Sequence, residues 1–144
     1  MDGTFNQLGS PTVEIEVSGP LGNRTKFTAM VDTGFSGFLL LPILSAFPIG
    51  LILHSMMPIT LADGSNQTKL TCLGGIHFDN AYVIGVIIIE WANTDVLVGM
   101  DFLRKFGKRL TVDPVNNHIE IVAASPPPNQ LALLTTAAPT EPPK

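Results

Sequence analysis

A mostly-β fold with one short C-terminal helix is the class this sequence predicts, on three observations. Residues 12–17 alternate, with Val13, Ile15 and Val17 on one side and Thr12, Glu14 and Glu16 on the other, the period of a half-buried strand. Turn-forming residues recur between such runs, at residues 18–23, at Asp63-Gly64 and at residues 113–117. The best helical face is at residues 100–106, where Phe102, Leu103 and Phe106 line up and Gly107 stands ready to cap.

The elements follow in order. Residues 1–10 read as a loose lead-in. The alternating run and a second strand over residues 25–31 form a hairpin with a longer loop. Residues 37–41 are a short buried strand, and residues 42–54 are ambiguous between turn and helical turn. Met57, Ile59 and Leu61 alternate into Ala62-Asp63-Gly64-Ser65, and Asp-Gly between two strand-like runs is a strong hairpin signal. The return arm is residues 69–73. Residues 82–89 are apolar and β-branched apart from Gly85, as expected of a strand covered on both faces. Two last strands, residues 110–112 and 118–122, flank the turn at Pro114. From residue 124 the chain turns to Pro, Thr and Ala, so 124–144 is expected to be a disordered tail behind one domain over 11–123.

Composition narrows the functional classes. The chain has 144 residues, 45% of them hydrophobic, enough for a sizeable single core. Its formal net charge of −4 argues against nucleic acid and against an anionic membrane surface as partners. A single cysteine, Cys72, permits no internal disulfide, and no Cys/His cluster offers a metal site, so neither metal nor cofactor is expected. Residues 1–10 contain no signal-peptide pattern, and a cytoplasmic setting is the expectation. The uncharged stretch 35–53 is about as long as a membrane span, but Pro42, Pro48, Gly37 and Gly50 interrupt it and no basic flank anchors it. No membrane span is expected there. Residues 42–53 are nevertheless apolar enough to belong to a dimer or partner surface.

The chemistry concentrates in Val31-Asp32-Thr33-Gly34-Phe35-Ser36-Gly37. A strand delivers the Asp32 carboxylate, a titratable acid or base, into a loop. Thr33 adds a hydroxyl that can fix the loop, and Gly34 allows a sharp turn with an N–H close to the carboxylate. Downstream, Leu97-Val98-Gly99 is an apolar pair and a glycine just before the helix. The bland reading of Asp32 is a turn former; Asp63 is read as a turn former, and Asp101 as an acid at a helix N-terminus. His54, His77 and His118 have no metal-ligand spacing, and Arg104, Lys105, Lys108 and Arg109 read as a solvated helix end.

With these two elements and the hairpin between them, the sequence resembles the retropepsin-like aspartic proteases, single-lobe relatives of pepsin, and most of all their prokaryotic members. The resemblance covers about residues 12–122. It implies a closed β-barrel lobe with Asp32 as the catalytic carboxylate. It further implies that Thr33 bonds across a two-fold axis, that Gly34 sets the loop, and that Leu97, Val98 and Gly99 buttress it. Residues 60–68 would form a flap, with Ala62, Asp63 and Gly64 at its tip against substrate; Phe35, Ser36 and Ile84 would also touch the peptide. Phe35 and Ser36 depart from the retroviral pattern, which has Ala and often Asp at those places.

That chemistry takes two carboxylates about 3 Å apart sharing one proton, one acting as base toward water and the other as acid. The chain holds one Asp-Thr-Gly, so the second carboxylate is expected from a second copy, in a homodimer that binds an extended peptide or protein. The competing class on the same fold is a non-catalytic peptide-binding or assembly module, which the bulk of Phe35 would favour.

Overall fold

The computed structural model describes residues 1–60 and 63–125. In chain order its elements are β1 Asp2–Phe5, β2 Pro11–Ser18, β3 Arg24–Val31, β4 Leu39–Pro42, α1 Ile43–Ala46, β5 Ile52–Thr60 and β6 Asn66–Phe78. They continue with β7 Ala81–Glu90, β8 Leu97–Val98, α2 Met100–Lys105, β9 Lys108–Asp113 and β10 His118–Ala123.

The strands pair in the order β5-β6-β7-β4-β8-β3-β2-β1-β10-β9, and β6 also pairs with β2. That extra pairing closes β2, β3, β8, β4, β7 and β6 into a ring. The mostly-β closed barrel expected from the sequence is what forms. Strand β6 serves two neighbours on one side because it is long: residues 66–73 pair with β5 and Gly75, Ile76 and His77 pair with β2. The change of partner falls beside Gly74 and Gly75, where a Cβ would crowd Ile87 and Leu51 in one case and the Tyr82 ring in the other. Glycine here admits neighbours rather than ending the strand, so β6 runs past the expected stop at residue 73.

Inside the ring, Val17, Leu39, Leu41, Ile76, Ile87, Ile89 and Val98 are buried, and Phe102 of α2 closes one end. Each such side chain stabilises the fold by about 1.5–3 kcal/mol. Phe38, Phe78, Phe102 and Phe106 pack with ring centroids 4.8–6.4 Å apart. Gly85 interrupts the β-branched run of β7 because the Phe38 ring lies where its Cβ would be. The fully buried Thr71 sits at a bulge between Leu53 and Ser55 of β5. Its hydroxyl donates to the Ser55 carbonyl (3.0 Å) and lies 3.2 Å from the Ser55 N–H, satisfying backbone groups that the bulge takes out of the ladder.

Two features differ from the sequence expectation or resolve it. The loose lead-in is corrected in part: Asp2–Phe5 is a strand lying between β2 and β10. Four residues are too few to show a period, and their stability comes from both neighbours. Met1 and Ile121 exchange backbone bonds at 2.8 Å, and Gly3 sits so close to Thr12 and Ile119 that a Cβ would collide. The uncharged stretch 35–53 breaks into β4, α1, a 3₁₀ turn at Phe47–Ile49 and the start of β5, with Gly50 in the left-handed region at φ +69°. Among the described residues no helix is long and apolar enough to cross a membrane. Leu44 and Phe47 are 76% and 82% exposed there. The expected tail, apart from residues 124 and 125, lies outside the described residues.

Candidate active site

Strand β3 is held by β2 as far as Met30, and beyond that β8 takes over as its partner. Strand β8 lies between β3, parallel through Met30↔Leu97 and Val31↔Val98, and β4, antiparallel through Leu39↔Val98 and Leu40↔Leu97. The Met30 and Asp32 amides donate to Val96 and Val98 carbonyls at 2.8 and 3.0 Å. The chain then turns, with the Phe35 N–H donating to the Asp32 carbonyl at 3.1 Å. The Gly34 N–H donates to Asp32 Oδ1 at 2.9 Å and so orients the carboxylate.

The far side of the loop is tied to the start of α2. The Met100 N–H donates to the Phe35 carbonyl at 2.8 Å, and the Asp101 N–H reaches the Ser36 and Gly37 carbonyls at 3.2 Å. These are helix-start amides with no partner inside the helix, and the loop carbonyls satisfy them. Gly99 is required at this crossing, because a Cβ there would strike the Phe35 and Gly37 carbonyl oxygens. Asp32 is half-buried, while Thr33 and Gly34 are exposed. The result is a loop tied at both ends by backbone bonds, with Asp32 and Thr33 along one groove.

Two solved structures share this arrangement of strands and helix. A retropepsin-like aspartic protease from Rickettsia conorii matches with a TM-score of 0.58 at 17% identity, over 85% of this chain and 92% of that one. EIAV protease complexed with the inhibitor HBY-793 matches with a TM-score of 0.57 at 17% identity, over 76% of this chain and 99% of that one. The fold is retropepsin-like. No family model matches the sequence, and no curated protein matches it either.

Within the retropepsin-like lobe the residues singled out by sequence fall into separate groups. Asp32, Thr33, Gly34, Leu97, Val98 and Gly99 come together as one bonded unit. Phe35 is half-buried, its ring folded over Gly37 and against Gly99, where a Cβ on either glycine would meet it. Ser36 is exposed beside it. Asp63 and Gly64 lie in the turn between β5 and β6, Gly64 at φ +84°. The Asp63 carboxylate accepts from the Ser65 hydroxyl and N–H at 2.6 and 2.9 Å, and these bonds hold its carboxyl below the usual range. Ala62 lies outside the described residues. Ile84 is 61% exposed on β7. Asp63, Gly64 and Ile84 do not line the groove beside Asp32.

That groove, about 340 Å³, is lined by Asp32, Thr33 and Met30 together with Leu110 and Val112 of β9. Sequence reading missed Leu110 and Val112, because nothing in a six-residue strand tells which loop it will face. A neighbouring groove of similar size runs from Thr33 past Arg104 to Lys108, Arg109 and Leu110. A larger groove, about 530 Å³ between Glu14, Lys26, His77 and Tyr82, shares no residue with the Asp32 loop. Among the described residues no group of three or more His, Cys, Asp or Glu is arranged to hold a metal ion. Burial pushes the Cys72 thiol up, which suits a small core residue and not a nucleophile.

Proposed function

We propose that the chain is an aspartic endopeptidase in which the Asp32 carboxylates of two copies activate a water molecule between them. The observation that carries this reading is the loop itself: a half-buried Asp32 whose Oδ1 is held by the Gly34 N–H, on a loop locked by β8 and α2 in a retropepsin-like fold. A turn-forming aspartate needs none of that support from strands distant in sequence.

In the mechanism the paired carboxylates share one proton, since two like charges so close do not both ionise easily. The ionised member takes a proton from water as it attacks the scissile carbonyl, and the protonated member donates to the carbonyl oxygen. Thr33 bonds its counterpart loop across the two-fold axis. The β5–β6 hairpin covers an extended peptide, with Ala62, Asp63 and Gly64 at its tip and Phe35, Ser36 and Ile84 as further substrate contacts. The peptide-binding or assembly reading drew on Phe35 crowding the site; its ring instead packs on Gly37 and Gly99, which speaks against it.

The test is cleavage of an unfolded protein at mildly acidic pH by the wild type and by Asp32→Asn. Asparagine keeps an oxygen for the Gly34 N–H, so the fold is retained while turnover falls by roughly 10²–10⁴-fold. Equal turnover by the two proteins would overturn the reading.

A further inference from the structure

Strands β3, β2, β6 and β7 lie side by side, and one residue from each forms a row across their outer face. Glu16 of β2 stands opposite both Lys26 of β3 and His77 of β6, and His77 stands opposite Tyr82 of β7. Directly opposed residues share a face of the sheet. The Tyr82 ring lies over Gly75, where a Cβ would strike it, so the ring rests on the backbone of β6. The His77 ring packs against it with centroids 4.5 Å apart, and His77 Nε2 lies 3.3 Å from the Ser18 hydroxyl. Tyr82 is exposed, and all four residues line the groove of about 530 Å³.

Two attachments bring the end of β10 to this groove. Ile121 exchanges backbone bonds with Met1, which lines the groove, and β10 runs on past that point. The Ala124 N–H donates to the Gly107 carbonyl at 2.9 Å, and the neighbouring Lys108 holds Asp79, another groove residue. The sequence that follows is Ser125-Pro126-Pro127-Pro128-Asn129-Gln130. Consecutive prolines fix φ near −65° and favour the polyproline-II helix, whose carbonyls have no partner within the helix. At about 3.1 Å per residue, residues 126–129 can extend roughly 6–16 Å beyond Ala124.

We propose that the groove is a polyproline-II site and that its occupant is residues 126–129 of the same chain. Proline rings pack on exposed aromatic faces, and the His77–Tyr82 pair supplies one. The free carbonyls need donors, which the Tyr82 hydroxyl and the Lys26 ammonium provide; among the described residues Lys26 has no ion pair. One polyproline-II turn is about 9 Å long, close to two strand spacings, so it spans the row from Tyr82 past His77 to Glu16. Residues 125–130 carry no charge and meet no repulsion from Glu14 and Glu16, which would disfavour an anionic ligand. Docking orders this segment without requiring the rest of the tail to fold. The groove shares no residue with the Asp32 loop, so the inference does not rest on the protease reading.

Nuclear magnetic resonance of the full chain tests it. Tyr82 is the only tyrosine, so its ring signals are unambiguous. Nuclear Overhauser contacts are expected between that ring and the rings of Pro126, Pro127 and Pro128. The backbone order parameter at Asn129 should be near the rigid value of about 0.85. Tyr82→Ala should abolish the docking and lower that order parameter below about 0.6, with the fold intact by circular dichroism. The combined Pro126→Ser, Pro127→Ser and Pro128→Ser variant, altered only outside the sheet, should do the same and shift the Tyr82 ring signals. Absence of the ring contacts overturns the proposal, as does an Asn129 amide equally mobile in the wild type and the triple variant. Contacts seen only between differently labelled chains overturn docking within one chain. An added decaproline peptide that shifts Tyr82 while Asn129 keeps its order parameter would give the groove to an outside partner and remove the proposed occupant.

Discussion

The Asp32 N–H donates to the Val98 carbonyl at 3.0 Å, so the loop that carries the carboxylate starts from a bond to a strand 66 residues further along the chain. Strand β2 no longer reaches it, its last pair with β3 being Thr12↔Met30. The position of the carboxylate thus depends on a two-residue strand and on the glycine that follows it.

Gly99→Ala follows from that dependence. The added methyl group meets the Phe35 and Gly37 carbonyl oxygens, which belong to backbone and cannot swing aside. The expected loss is about 1–3 kcal/mol of stability in urea unfolding. Cleavage should fall further than the folded fraction, because the displaced atoms belong to the loop that holds Asp32. A variant as stable and as active as the wild type would show that the crossing is loose.

Thr71→Val keeps the shape of a buried side chain and removes its hydroxyl. Ser55 then loses the side-chain partner for its N–H and for its carbonyl in the bulge of β5. Leaving such groups unsatisfied costs about 1–3 kcal/mol, read as a lower midpoint in urea, and Thr71→Ser should recover much of it. Equal midpoints for the two variants would show that the hydroxyl is not what holds the bulge.

Acid destabilisation should report on Glu90. The Lys69 ammonium lies 3.0 and 2.8 Å from its two carboxylate oxygens, the Ala92 N–H donates to it as well, and its carboxyl is held below the ordinary value of 4.5. A carboxyl depressed in the folded state contributes its full stability above the unfolded-chain value and loses it as pH falls through the lower folded value. Thermal stability should therefore drop below about pH 4.5, and Glu90→Gln should flatten that limb while lowering stability at neutral pH. An unchanged acid limb in Glu90→Gln would assign it to other carboxylates.

Much of the fold was legible because it is written locally. The alternation over residues 12–17, the Asp-Gly hairpin and the face of Phe102, Leu103 and Phe106 each mark an element by its own period. Asp32, Thr33 and Gly34 stood out as a loop, and Leu97, Val98 and Gly99 as its neighbour, by their order along the chain. What was not legible depends on partners distant in sequence. Strand β1 forms only because β2 and β10 flank it, Gly74 and Gly75 look like breaks until Ile87, Leu51 and Tyr82 fill the space, and Leu110 and Val112 reach the Asp32 groove only through topology.

The central claim is that two copies each supply one Asp32, and mixing tests it most directly. Wild-type chain at fixed concentration is exchanged with increasing amounts of Asp32→Asn, and cleavage of an unfolded protein is followed. If both carboxylates of a pair are needed, mixed pairs are inactive and cleavage falls toward zero as the variant comes into excess. Cleavage that holds constant per wild-type chain, however much variant is added, would contradict the shared site.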